Sequence, residues 1–138
     1  MRRIALSGAL CVVGFAGVLA GVALGQYQRM PPAESKGFRT EVLATLDLAN
    51  EIEGMAGRQL RMRRITVEPG GQFALHDHRD RPGLYYVEAG TITEHPEGAV
   101  ADEHRAGEAV AVGRGTQHWE ENRGVAPVVV IAVDIIKQ

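Results

Sequence analysis

The stretch ALHDHRDRPGLYYVEAG, residues 74–90, contains two histidines, His76 and His78, that are separated by one residue. Side chains two apart on a β-strand point to the same face, so both imidazoles can reach one metal ion. The spacing alone is a weak signal, because two hydrogen-bonded polar residues near a strand end would share it. The remainder of the chain therefore decides between a metal site and a structural pair.

The pattern around this stretch predicts an all-β domain. The chain has 138 residues, which is enough for one domain with its own core. Its 17 glycines and 6 prolines separate short apolar runs, and no amphipathic helix of useful length is evident. Strands at short spacing with glycine turns predict a sandwich or barrel. The predicted strand segments are 41–48, 58–67 before a turn at 69–71, 72–78, 84–95 with a bend at Gly90, and 126–136.

Two of these segments carry a more detailed prediction. The segment 126–136 is continuously apolar and rich in β-branched residues, as in a strand buried on both faces. It suits a central strand or equally a sheet shared across a homodimer. The arginines of the second segment, Arg61, Arg63 and Arg64, are interpreted as a solvated strand face, or as such a face with one arginine paired internally.

The N-terminus has the pattern of an export segment. Arg2 and Arg3 precede the apolar residues 4–24, which is typical of a signal peptide. The apolar stretch is also long enough to be an uncleaved membrane anchor. Residues 1–25 are therefore predicted to be a signal peptide or anchor, which places the domain in the periplasm, outside the cell, or on the outer face of a membrane.

The remaining composition defines the domain and excludes several kinds of site. Residues 26–40 are polar and contain two adjacent prolines, so they are predicted to form a linker to a domain at 41–138. Cys11 is the only cysteine and lies in the export segment, which excludes disulfides and Cys-based zinc sites from the domain. The net charge of −2 gives no basic footprint for a nucleic acid partner.

A third histidine, His118, lies in the glycine-rich stretch GRGTQHWEEN, residues 113–122. Together with the first stretch, it forms two motifs in which the sequence resembles the cupin superfamily over about residues 58–136. The matching residues are Gly70, His76, His78 and Gly90 in the first motif and Gly107, Gly115, His118 and Asn122 in the second. The resemblance implies a small double-stranded β-helix barrel of jelly-roll type, with His76, His78 and His118 as metal ligands.

The chain departs from the first cupin motif at one ligand. The position of the family's glutamate falls at Pro82 or Gly83, and neither can bind a metal through its side chain. Three neutral imidazoles favour borderline metals such as Fe, Cu, Zn, Ni or Co over Mg or Ca, and ligand type does not separate Fe, Cu, Zn, Ni and Mn. Three ligands leave coordination positions open for water, dioxygen or substrate.

Two functions follow from this ligand set. The first is an exported metal-dependent oxidoreductase, a three-histidine (di)oxygenase that acts on an unidentified small molecule. The second is a non-enzymatic cupin module that binds or senses a ligand or a metal, since the lost glutamate can also mean lost chemistry.

The catalytic candidates are Tyr85 and Glu120. Tyr85 either places its phenol in the cavity as a hydrogen-bond donor to substrate or packs in the core with its hydroxyl satisfied. Glu120 either points inward, as a general base or a replacement carboxylate, or is exposed beside Glu121. Trp119 is expected to face away from this side of the strand.

Other polar residues near the motifs are given simpler roles. Asn122 is expected to fix a turn. His95 and His104 flank a predicted loop and are interpreted as surface histidines rather than ligands. The charged residues 79–81 form either a solvated loop or a cavity mouth that attracts an anionic substrate.

Overall fold

The computed structural model describes residues 29–138, so the predicted signal peptide or anchor at 1–25 lies outside the described residues. Nine β-strands and no helix occur in the described part, and thus no helix there is long and apolar enough to cross a membrane. The strands are β1 (Lys36–Asp47), β2 (Arg58–Gln72), β3 (His76–Asp77), β4 (Gly83–Ala89), β5 (Thr91–Pro96), β6 (Asp102–Arg105), β7 (Ala109–Val112), β8 (Gln117–Glu121) and β9 (Val128–Lys137).

The nine strands form one continuous antiparallel arrangement that curls into a barrel, in which β2 links two smaller sheets. One sheet has the order β1-β2-β9-β4-β7, and the other contains β3, β8, β5 and β6. Strand β2 pairs with β9 from Arg58 to Val67 and then with β8 at Gln72, which joins the two sheets. The predicted all-β jelly-roll barrel is confirmed.

Glycines at the end of β2 allow this change of partner. Gly70 has a φ of +73°, which favours glycine, and a Cβ at Gly71 would lie 2.3 Å from the carbonyl oxygen of Gly37. The prediction that residues 69–71 end the strand in a turn is therefore wrong. These residues instead form an irregularity within one long strand, which then continues in the second sheet.

Strand β1 begins earlier than expected. Residues 36–40, which the sequence predicts to be part of the linker, belong to β1 instead. This strand pairs with β2 in a register that runs from Lys36 opposite Gln72 to Asp47 opposite Gln59. All twelve residues of β1 are exposed. It pairs only with β2 among the described strands, so it is an edge strand of the sheet.

Strand β9 lies between β2 and β4, which confirms the prediction of a central strand. Its residues from Val128 to Asp134 alternate between fully and partly buried positions. The bend predicted at Gly90 is also confirmed, because this glycine separates β4 from β5 with a φ of +82°. The buried apolar core consists of Val67, Tyr85, Val87, Ile92, Val112, Val128, Val130 and Ala132.

Candidate metal centre

Strands β3 and β8 bring the three predicted histidine ligands together. His76 and His118 are directly opposite each other in the antiparallel pairing of these strands, and His78 follows at the end of β3. One ring nitrogen from each of the three histidines lies within 4.8 Å of the others. The predicted strand 72–78 is shorter than expected, since only His76–Asp77 form β3.

All three rings are oriented by hydrogen bonds at Nδ1. Each Nδ1 faces a carbonyl or carboxylate oxygen and therefore donates its proton, which leaves the lone pair on Nε2 free for a metal. The distance is 3.0 Å for His76 and for His78. The acceptors are the backbone carbonyls of Ala74 and Arg81 and the side chain of Glu94.

The free lone pairs on these rings can bind a cation that lies between them. Nε2 of His78 and Nε2 of His118 are 3.0 Å apart, and two lone pairs at this distance repel unless a proton or metal ion lies between them. Burial lowers the pKa of His76 to about 4 and also lowers that of His78, so both are neutral ligands at neutral pH. The donor set therefore fits a borderline divalent metal.

Glu94 was not identified from the sequence, although it anchors His118. Burial alone raises the pKa of Glu94, but hydrogen bonds from His118, His104 and Tyr85 outweigh it and bring the pKa to about 2. For His118, burial lowers the pKa, but the carboxylates of Glu94 and Glu120 reverse the shift and raise it. Glu94 therefore remains a carboxylate and stabilises positive charge on the His118 side of the cluster.

Glu120 points inward, and the interpretation as an exposed residue beside Glu121 is wrong. Its Oε1 lies 3.5 Å from Nε2 of His118, and its Oε2 lies 4.0 Å from Nδ1 of His76. Oε2 is buried and has no hydrogen-bond partner among the described residues. Burial, reinforced by the charge of Glu94, raises the pKa of Glu120 to about 7. A buried carboxylate oxygen without a partner beside three imidazoles also fits a cation site.

Of the two alternatives for Tyr85, the structure shows the second, a core residue with a satisfied hydroxyl. Its ring is buried, and its hydroxyl donates a hydrogen bond of 3.1 Å to Oε2 of Glu94. Burial and the nearby carboxylate raise the pKa of Tyr85. Its hydroxyl therefore supports Glu94, and a direct role toward substrate stays a prediction.

The structure explains why no glutamate stands at the vacant motif position. A Cβ at Gly83 would lie 2.4 Å from the carbonyl oxygen of Val133 and 3.0 Å from Cβ of Asp134. Gly83 pairs with Asp134 of β9, so the central strand occupies the space that a side chain needs. A carboxylate beside Nε2 of His118 comes instead from Glu120 on β8, at 3.5 Å.

A cavity of about 340 Å³ opens beside the three histidines and Glu120. Most of its walls are apolar, but Arg63 and Arg81 also line it. The interpretation of Arg61 and Arg63 as a solvated face is wrong, because both bind the buried Asp134. They share the inward face of β2 with Ile65 and Val67.

A second polar cluster lies on the opposite face of β8. The rings of His95 and Trp119 stack with centroids 3.6 Å apart, and His95 Nε2 lies 3.0 Å from Oε1 of Glu121. Trp119 thus faces away from His118, in agreement with the sequence. The interpretation of His95 and His104 as surface residues is wrong, since His95 is buried and His104 is largely buried against Glu94.

Asn122 fixes the turn after β8, as expected. Its amide nitrogen donates to the carbonyl oxygens of Val67 at 2.9 Å and Ala126 at 2.8 Å. Its side-chain oxygen accepts a 2.8 Å hydrogen bond from the backbone nitrogen of Gly124. The side chain is almost fully buried, and it ties the end of β8 to β2.

Glu121 should make the domain sensitive to acid. Burial raises the pKa of Glu121, but hydrogen bonds from Arg123 and His95 outweigh it and hold the pKa below the ordinary 4.5. The stability contributed by the carboxylate is therefore present above pH 4.5 and is lost as the pH falls through the folded-state pKa. We expect Glu121→Gln to lower stability by about 1–2 kcal/mol at pH 7. When melting temperatures are measured from pH 7 to pH 3, the difference between Glu121→Gln and the wild type should become smaller as the pH falls.

The exposed Glu97→Gln is the control for this measurement and should behave as the wild type at every pH. If the difference in melting temperature between Glu121→Gln and the wild type grew as the pH fell, the carboxylate of Glu121 would not be stabilising.

Comparison with known proteins identifies related sequences and folds. A family model described as a cupin domain, Cupin_2, matches residues 63–134. KdgF from Halomonas sp. is 15% identical, with a TM-score of 0.56 over 77% of this chain and 87% of that one. A Cupin 2 conserved barrel domain protein from Salinispora arenicola CNS-205 is 20% identical, with a TM-score of 0.55 and the same shares.

A third likeness is to an oxalate oxidase solved in complex with glycolate. It is 23% identical, with a TM-score of 0.54 over 73% of this chain and 55% of that one. At these identities the solved structures show a shared fold. No curated protein matches the sequence significantly.

Proposed function

Because the chain belongs to the cupin domain family whose model spans residues 63–134, we propose that it is an exported metal-dependent cupin that oxidises a small molecule with dioxygen. The observation that carries this proposal is the convergence of one ring nitrogen from each of His76, His78 and His118 at the wall of a cavity. Three histidines leave coordination positions open, as a catalytic site requires. The export part of the proposal depends on the basic and apolar pattern of residues 1–25.

A redox-active metal such as iron or copper would supply the open positions at which dioxygen or a substrate oxygen is activated. The chain itself supplies the orientation of the rings, since Glu94 holds Nδ1 of His118. Glu120 lies 3.5 Å from Nε2 of His118, so its carboxylate is placed to accept or return a proton within the cavity. The apolar walls limit access of water to this proton.

A non-enzymatic binding or sensing module is the second candidate function. The observation that favours it is the hydrogen bond from Tyr85 to Glu94, which takes the candidate phenol away from a bound substrate. Glu120 would then be a metal ligand that completes a closed binding site rather than a proton acceptor.

Oxygen uptake separates the two functions. Full-length protein loaded with Fe(II) or Cu(II) should consume dioxygen in the presence of a substrate from a small-molecule panel. Protein loaded with redox-inert Zn(II) should not. Glu120→Gln should lower the rate about 10²–10⁴-fold if Glu120 transfers a proton. The matched control, the exposed Glu103→Gln, should leave the rate unchanged.

Substrate-dependent uptake that survived removal of the metal would contradict the proposed enzyme. Metal-loaded protein that binds members of the panel without consuming oxygen with either metal would also contradict it, and would favour the binding module.

A further inference from the structure

Three arginines surround one buried carboxylate at the cavity wall. Arg61 binds Asp134 with two hydrogen bonds, from Nε to Oδ1 at 3.1 Å and from Nη2 to Oδ2 at 2.9 Å. Arg63 donates from Nη2 to Oδ2 at 2.8 Å. Nε of Arg81 lies 4.0 Å from the same oxygen. The bidentate ion pair with Arg61 already neutralises the charge of Asp134.

Arg63 and Arg81 therefore carry positive charge in excess of what Asp134 neutralises. Both side chains line the cavity, with 15% and 34% of their surface exposed. Nε of Arg63 is buried and has no hydrogen-bond partner within residues 29–138. Burial lowers the pKa of Arg63. The charge of Asp134 raises it, but the positive charges of Arg61 and Arg81 act in the opposite direction and lower it. An incompletely compensated guanidinium in a cavity is costly unless an anion binds there.

The other acidic group of the cavity does not supply this anion. The carboxylate of Glu120 lies beside the histidines, and no ion pair joins it to an arginine in the described part of the chain. Most of the remaining walls are apolar, so a ligand that fills the cavity meets cations at one place and mainly hydrocarbon away from the histidines. These walls include Ile65, Val67, Phe73, Ile92, Val112 and Val130.

We propose that Arg63, assisted by Arg81, binds the carboxylate of a small substrate whose apolar body lies against these walls, with its reactive part at the three histidines. The planar guanidinium presents paired donors that match a carboxylate, which an apolar cavity otherwise binds poorly. Arg61 keeps Asp134 paired, so Arg63 can turn toward a ligand without leaving a buried charge alone. This inference rests on the proposed function, since it assigns the substrate class of the same cavity.

Binding of carboxylates and their neutral amides tests the inference. Calorimetry on the full-length protein would compare benzoate with benzamide and hexanoate with hexanamide, with and without bound Zn(II). We expect the wild type to prefer at least one carboxylate by about tenfold or more. Arg63→Gln should lose this preference, and Arg63→Lys should retain part of it. The control Arg39→Gln alters an arginine that is 76% exposed on β1 and should leave the preference intact.

Equal affinity for both carboxylates and their amides in the wild type would overturn the inference. A preference that survives in Arg63→Gln would also overturn it, because the metal or another cation would then bind the carboxylate. Metal content, measured on the same samples, separates this failure from a failure of the proposed function. Protein that takes up no metal but prefers carboxylates through Arg63 would refute the metal-dependent function alone.

Discussion

Replacing His118 by alanine should weaken metal binding by more than about 100-fold, since loss of an outer-shell partner alone costs about 10–100-fold. His118 is almost fully buried between Glu94 and the other two histidines, and its Nε2 is 3.0 Å from that of His78. Alanine removes one of the three proposed nitrogen ligands and one of the three hydrogen bonds that Glu94 accepts. Competition with a metallochromic chelator over a range of Zn(II) concentrations measures the affinity.

The matched control is His95→Ala, which removes another buried histidine of the same barrel. His95 stacks on Trp119 on the opposite face of β8, so its loss should cost stability while metal affinity stays within about twofold. Circular dichroism would confirm that both variants are folded. Equal metal affinity in folded His118→Ala and wild type would remove His118 from the ligand set.

Replacing Glu94 by glutamine should weaken metal binding by about 10–100-fold without removing any ligand. The carboxylate of Glu94 accepts the Nδ1 proton of His118 and also bonds His104 and Tyr85. Glutamine retains one acceptor but loses the negative charge that makes His118 a stronger base. The same chelator competition measures the change, and the effect should appear for both Zn(II) and Fe(II).

Glu103→Gln on the neighbouring strand is the control, because Glu103 is exposed and pairs only with exposed Arg105 among the described residues. It should bind metal as the wild type does. If Glu94→Gln retained full affinity, Glu94 would be a structural residue of the core and the orientation of His118 would have another cause.

The histidines were predictable from the sequence because their positions depend on local rules. His76 and His78 share a face through the two-residue period of a strand. For His118, the resemblance to the two cupin motifs supplied the prediction that it lies near them, and the direct pairing of His76 with His118 agrees with that prediction. The strands around Gly90 and the central strand β9 followed from glycine position and β-branched composition in the same way.

Glu94 could not be predicted from the sequence, because its contact with His118 depends on the pairing of β5 with β8. It lies opposite Glu120 in the register of β5 with β8, and no local pattern specifies that register. One signal was available: after the bend at Gly90, Glu94 has the same parity as the buried Ile92, which indicates an inward side chain.

The sequence does not reveal the position of Arg63, because the apolar residues of β2 change phase along the strand, from Leu60 and Met62 to Ile65 and Val67. Arg61, Arg63, Ile65 and Val67 in fact share one inward face, and the arginines are tolerated there because Asp134 of β9 faces them. The turn predicted at 69–71 failed for a related reason. Proline and glycine signal a break in local geometry, but the second sheet offered β2 a new partner at Gln72.

Diffraction at the absorption edge of the metal, from crystals of the full-length protein loaded with Fe(II) or Zn(II), tests the central claim most directly. We expect one strong anomalous peak that lies about 2.0–2.1 Å from Nε2 of each of His76, His78 and His118. Each Nδ1 should still be hydrogen-bonded to its acceptor, the carbonyl oxygens of Ala74 and Arg81 and the carboxylate of Glu94. A peak bonded elsewhere, or no peak in fully folded and loaded protein, would contradict a metal centre built on these three histidines.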